Sequence, residues 1–245
     1  MSGLVLFMLA VTVFLTSLLS GVFGMAGGLI LLWVLLFLMP VATAIAVHGM
    51  VQVVSNGSRA WFTRAWIDWR ILGFLCLGMA TAAATLYLVS YRPSLIVVSI
   101  AVGLMPLLVW LPLGRLQLDA TRPAHALLCG FISAGLAIGV GVSGPIIDVA
   151  LVRSQIDRRH VIATKAASQV VNHGTKVAFY WSAAASLSSS GWWAVAVALP
   201  LSVLGTRAGN FVLHRLTDVG FRRWTRWIVT GIGLVYLGRG IAQLV

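Results

Sequence analysis

The sequence predicts an all-α polytopic membrane protein of two inverted repeats, each a broken or hairpin helix element followed by three full spans. Three observations carry that expectation. Hydrophobic residues make up 60% of the chain and charged residues 9%, far from the roughly 25% charged residues of a soluble domain, so no large aqueous surface is available. Apolar runs recur along the chain, several longer than the about 18 residues needed to cross a hydrocarbon core. Finally, the stretch 24–62 returns without a gap as 141–179. Gly24 then aligns with Gly141, Gly27 with Gly144, Gln52 with Gln169, Gly57 with Gly174 and Phe62 with Phe179. Between Gln52 and Phe62 the polar character is kept, with Ser55, Asn56, Ser58 and Arg59 answered by Asn172, His173, Thr175 and Lys176.

The first element is apolar over 4–23 and runs into GVFGMAGG. Clustered glycines add backbone freedom and favour a break. Only 26–39 remain before Pro40, about 21 Å of helix, so this segment is read with the first span as a broken or hairpin element. Residues 41–62 form a full span bearing His48, Gln52, Asn56 and Arg59, and a loop 63–70 follows with Arg64, Asp68, Arg70 and Trp61, Trp66 and Trp69 around it. Indoles favour the membrane interface. Spans 71–90 and 94–113 carry no charge and meet at the turn Tyr91-Arg92-Pro93.

A polar linker over 114–123 separates the halves, which we divide as 1–118 and 119–245. The second half replays the first: an apolar span 124–138, a break at GVGVSGP, a short segment 146–152, a basic loop, the polar-bearing span 161–181, and spans 192–213 and 224–244. If each broken element returns to the side it left, loops 63–70, 114–123, 153–160 and 214–226 share one face and hold eleven arginines, against Arg92 alone on the other. The positive-inside rule then puts the basic face in the cytoplasm and both termini outside it. Counting crossings on this scheme, the halves enter from opposite sides. Inverted repeats of this kind recur in secondary transporters, with the site near mid-depth between them.

The net charge of +12 does not point to nucleic acid, since the basic residues lie in short loops between apolar spans rather than on one soluble face. Residues 1–20 lack the basic start of a secretory signal and are read as the first span. Cys76 and Cys129 both fall within apolar spans, which predicts neither a disulfide framework nor a metal site. No phosphate cradle, CxxC, HExxH or serine elbow is present. The expectation is a protein that is not an enzyme, with no cofactor and no metal.

The candidate site follows from the repeated features. At Gly27-Gly28 and at Gly144-Pro145 a half-helix is expected to begin, its first N–H groups unpartnered and its dipole favouring an anion. Pro145 suits a first turn, where its missing N–H is not needed. Close packing of helices through small residues is the competing explanation. Gln52, Asn56 and Arg59 fall at i, i+4 and i+7, as do Gln169, His173 and Lys176, so each set lines one helix face. Such faces are expensive in lipid and should point inward, either to bind substrate or to hydrogen-bond between helices. Arg59 and Lys176, near span ends, could instead snorkel to the interfaces. Asp148 is the one acid inside a predicted membrane segment; it could carry a coupling proton or balance a cation, or pair with Lys165 or a loop arginine as a structural contact.

Together these features resemble the sulfite exporter TauE/SafE family, also called toluene sulfonate uptake permeases. The resemblance rests on GVFGMAGG (21–28), GVGVSGP (139–145), DRRHVIATK (157–165) and the run 172–180 with Lys176 and Tyr180. The first break lacks the proline found in the second. The resemblance implies a secondary carrier of small sulfur-containing or organic anions, such as sulfite or sulfonates, in a bacterial inner membrane, with membrane lipid as its surroundings. An anion channel, or a subunit that docks a partner through its basic face, stands as the alternative; a homo-oligomer is compatible with either.

Overall fold

The computed structural model describes residues 3–23, 25–110, 118–143, 146–213 and 218–244. Gly24, Arg115, Gly144, Pro145 and Arg215 lie outside the described residues. Among those described, the structure is entirely helical: α1 (Gly3–Phe23), α2 (Met25–Leu38), α3 (Val41–Thr63), a 3₁₀ turn (Arg64–Trp66), α4 (Trp69–Leu88), α5 (Leu95–Trp110), α6 (Pro123–Val140), α7 (Ile146–Arg153), α8 (Arg158–Phe179), α9 (Trp181–Ala185), α10 (Ser189–Leu213) and α11 (Asp218–Ile241). By length and composition, Trp69–Leu88, Pro123–Val140 and Ser189–Val212 can each cross a membrane. Large apolar side chains such as Phe7, Leu77, Leu104, Trp193 and Leu234 are exposed on several helices, the surface expected where the solvent is hydrocarbon. The chain is a multi-pass membrane protein.

Several boundaries differ from the sequence expectation, for one reason. Apolar runs mark where a helix enters lipid, whereas the helix itself continues into the aqueous layer. Thus α8 starts at Arg158, where Asp157 caps it by accepting the Arg159 N–H at 2.9 Å, and α11 starts at Asp218, so that Arg222, Arg223 and Arg226 lie on the helix rather than in a loop. Similarly Asp68 caps α4 by accepting the Ile71 N–H. The segment 183–190, between the last polar-bearing span and the next, contains the end of the short helix α9 and the start of α10.

The principal packing pairs are α1 with α10, α4 with α6, α5 with α11 and α3 with α8. The last is central: α3 also packs on α10 and α8 on α4, so this pair joins two of the others. It is antiparallel, since Gly49 lies against Val177 and Lys176 while Gly57 approaches Val170. The hairpin helix α2 packs on α1, α3 and α11. Its side chains Leu29, Leu31, Leu32, Leu35 and Leu36 are all buried, as expected for a short helix that is apolar all round.

Lipid tails offer no hydrophobic drive for one helix to join another, so close backbone contact through small residues takes over. A Cβ at Gly130 would fall on the Leu75 carbonyl oxygen, and one at Gly78 on that of Leu127, which locks α4 to α6. On the other side Gly209 meets the Leu18 carbonyl, and Gly21 meets the Thr206 carbonyl. In the same helix as Gly130, Gly135 faces open space. Gly130→Ala should therefore lower the melting temperature of the purified protein, by several degrees if overpacking costs about 1–3 kcal/mol and each kcal/mol is worth about 2–4 °C. Gly135→Ala should melt at or above wild type, because alanine is the better helix former; equal melting of the two variants would show that α4 and α6 are not in backbone contact.

Candidate functional site

The chain turns at both places expected from the glycines: α2 folds back on α1, and α6 ends at Gly141 before α7. The first helix ends one residue before Gly24 and the next begins at Met25, so Gly27 and Gly28 occupy the third and fourth positions of α2, within the turn whose N–H groups have no helical partner. They face different ways. A Cβ at Gly27 would fall on the Thr16 carbonyl of α1, so this glycine closes the hairpin. A Cβ at Gly28 would lie 2.7 Å from Gln52 Nε2 and 3.3 Å from His48 Nε2, so this one faces the polar side of α3.

The second break starts at Gly141, which ends α6 with φ of 87°, a left-handed conformation that glycine adopts freely. A helix that ends inside protein leaves its last carbonyls without partners, and here side chains supply the donors. Tyr180 Oη donates to the Ile138 carbonyl at 2.8 Å and Tyr91 Oη to that of Gly139 at 2.8 Å. Lys176 Nζ donates to the Gly141 carbonyl at 2.7 Å. The Lys176 side chain is fully buried, which removes the snorkelling alternative for it: the C-terminal end of α6 lies within its reach and attracts a cation.

Lys176 Nζ also lies 2.6 Å from His48 Nδ1. When Lys176 is an ammonium, which has only donors, Nδ1 accepts and the ring proton sits on Nε2. That side of the ring faces Gly28, 3.3 Å from where a Cβ there would lie, and comes within 3.4 Å of Gln52 Nε2. One lysine and one histidine thus connect Gly141 at one break to Gly28 at the other. Of the three N–H groups of Lys176, one has no partner among the described residues. Beside the pair, the His173 ring stands edge to face with His48 at 5.8 Å between centroids, and its buried Nδ1 has no hydrogen-bond partner among the described residues. The Asn172 amide donates to Ser133 Oγ at 3.0 Å, while its buried Oδ1 has none.

The expected site residues therefore separate. Gly28, Gln52, His173 and Lys176 come together, and Asn56 donates to the Gln52 carbonyl at 2.9 Å, holding that turn of α3. Gln169 is half-buried and makes no hydrogen bond among the described residues. Arg59 is about 16 Å of helix beyond His48 and donates to the Ser20 carbonyl of α1 at 3.3 Å. Asp148 pairs with Lys165 Nζ at 2.8 Å, and both side chains are about two-fifths exposed. The residue missing from the expected set is His48. Its signal was present, since it precedes Gln52 by four and so shares the same helix face.

Among the described residues no carboxylate touches Lys176. The chain has five acidic residues; Asp68 and Asp157 cap helices, Asp119 accepts from Thr121, and Asp148 holds Lys165. The fifth, Asp218, begins α11. Among the described residues no three His, Cys, Asp or Glu side chains gather as a metal site. The geometry instead offers a buried cation, a spare N–H and an unpartnered imidazole nitrogen, which is chemistry for holding an anion.

Tyr180→Phe tests the capping of α6. A buried carbonyl left unpaired costs about 1–3 kcal/mol, so the variant should melt several degrees below wild type, whereas Tyr87→Phe, at a residue 76% exposed, should not shift. Wild-type melting of Tyr180→Phe would remove its hydroxyl from the account of this helix end.

The family profile described as Sulfite exporter TauE/SafE matches residues 9–236, most of the chain. No curated protein and no solved structure matches it. Members of that family are transporters rather than enzymes. By its sequence and its membrane-spanning helices, this chain is an anion-transporting membrane protein that belongs to the sulfite exporter TauE/SafE family.

Proposed function

We propose that the protein is a secondary transporter that moves small sulfur-containing or organic anions, such as sulfite or sulfonates, in an ion-coupled cycle. The observation that carries this reading is the fully buried Lys176, which has no carboxylate partner among the described residues. A buried charge left unpaired is strongly unfavourable, and a transported anion is the partner that would balance it. The anion would rest between the first turn of α2 and the break after α6, near Gly144-Pro145. Gln52, Asn56, Gln169 and His173 would donate hydrogen bonds to it. Lys176 and the more distant Arg59 would raise the positive potential that draws it in.

Two inverted repeats, 1–118 and 119–245, would supply the alternating access such a cycle needs. Their exchange is supported by the packing, in which α1 with α10 is answered by α4 with α6, and α10 on α3 by α4 on α8. It is supported again by the cations: Arg59 bonds a carbonyl near the end of α1, and its aligned residue Lys176 bonds one at the end of α6. A bacterial inner membrane with both termini outside the cytoplasm agrees with the arginine count. A cysteine added after Val245 should accordingly react with an impermeant maleimide in intact spheroplasts; labelling only after lysis would reverse the orientation.

Replacing Gln52 and Gln169 together with leucine should abolish sulfite flux in proteoliposomes while leaving folded protein in the membrane. Unchanged flux would remove both glutamines from the site. Saturable uptake that depends on a proton gradient distinguishes a carrier from a channel, and flux by the purified chain alone distinguishes both from a docking subunit.

A further inference from the structure

A site that holds one buried lysine against one buried histidine, with no carboxylate in reach among the described residues, has an unusual charge balance. We propose that the Lys176–His48 pair, with His173 beside it, binds one proton together with each anion, so that a monoanion and its proton occupy the site as a neutral pair. This rests on the anion lying between the two breaks, as argued above, and goes beyond it by naming the residues that hold the coupling ion.

The geometry supplies each part. Lys176 Nζ and His48 Nδ1 are 2.6 Å apart, so a proton on either nitrogen is shared by both. His173 brings an imidazole nitrogen with no partner among the described residues to the same place, 5.8 Å ring to ring from His48. An unbalanced charge in such surroundings is costly, and the cost is removed when the cluster is uncharged or when an anion sits against it. The two conditions are therefore linked. Arrival of the anion stabilises the proton on the pair, and departure of the anion releases it. Charges balance, since a neutral lysine-histidine pair, one proton and one monoanion give a cationic pair with its anion, and no bond other than N–H forms or breaks.

Among the described side chains of the neighbouring helices no other group takes this role. Neither α2 nor α9 carries a titratable side chain. On α3 the further cation is Arg59, held by Ser20, and on α10 it is Arg207, which lies over the Phe62 ring. The 3₁₀ turn has Arg64, over Trp61. From α6 come His125, bonded to the Asp119 N–H, and the free Cys129; from α4 come Arg70 at its start, the free Cys76 and exposed Tyr87. The carboxylate on α7, Asp148, is engaged by Lys165. The remaining groups of α8, Arg158, Arg159 and His160, belong to its first turn, more than three turns from His173.

The test is proton uptake on anion binding by the purified full-length protein. Methanesulfonate serves as probe, because its acid is too strong to bring a proton of its own. In weakly buffered solution with an indicator dye, wild type should take up close to one proton per anion bound. Above the pH at which the empty pair gives up its proton, its Kd should rise roughly tenfold per pH unit. Lys176→Met and His48→Gln should each lose the uptake and flatten that pH profile. Binding without uptake by wild type overturns the proposal while leaving the anion site in place, and it does so whether or not the variants fold. Uptake that persists in both folded variants also overturns it. If wild type binds none of methanesulfonate, sulfite and sulfoacetate at any pH, the anion site itself falls and this inference falls with it.

Discussion

When α6 stops at Val140, its last carbonyls are stranded inside the protein, where lipid and packed side chains offer no water to satisfy them. The rest of the site is the consequence of how they are satisfied. Tyr180, Tyr91 and Lys176 each reach in to donate, and all three are placed by helices other than α6 or by the turns that follow them. Lys176 has donors to spare after bonding Gly141, and one of these goes to His48 on α3. Through His48 the second break comes up against Gly28, in the first turn after the other break. The interruption of one helix thereby fixes the relative position of both.

The same solution recurs at two other helix ends. Arg59 donates to the Ser20 carbonyl near the end of α1, and Arg239 to the Leu36 carbonyl near the end of α2 at 3.0 Å, with its guanidinium 3.8 Å from the centre of the Phe37 ring. Tyr236 adds a hydroxyl to the Leu29 carbonyl at 2.9 Å. A cation at a helix C-terminus meets both the free carbonyls and the negative end of the dipole. In a chain with so few charges, several basic side chains are thus used to finish helices away from the aqueous loops.

Around these polar contacts the helices are held by contact of backbone with backbone. Gly130 and Gly78 bring α4 against α6, and Gly21 and Gly209 bring α1 against α10. These two pairs flank α3 and α8, whose polar faces meet each other. Close packing outside and hydrogen bonding inside divide the work along chemical lines, since small residues need no partner and buried donors do.

Composition, periodicity and the repeated stretch determined the helical class, the membrane setting, the order of the spans and the two places where helices break. These are local properties: an apolar run, a glycine cluster and an i, i+4 polar stripe each state their case within one or two helices. The stripe also marked Gln52, His173 and Lys176 as inward-facing. What it could not assign was the partner of each. That Lys176 meets His48 and that Gly27 closes the α1–α2 hairpin while Gly28 faces His48 depend on how helices far apart in the chain are rotated and staggered. Rotation and stagger are set by the summed packing of every contacting face, and no single segment of sequence contains that sum.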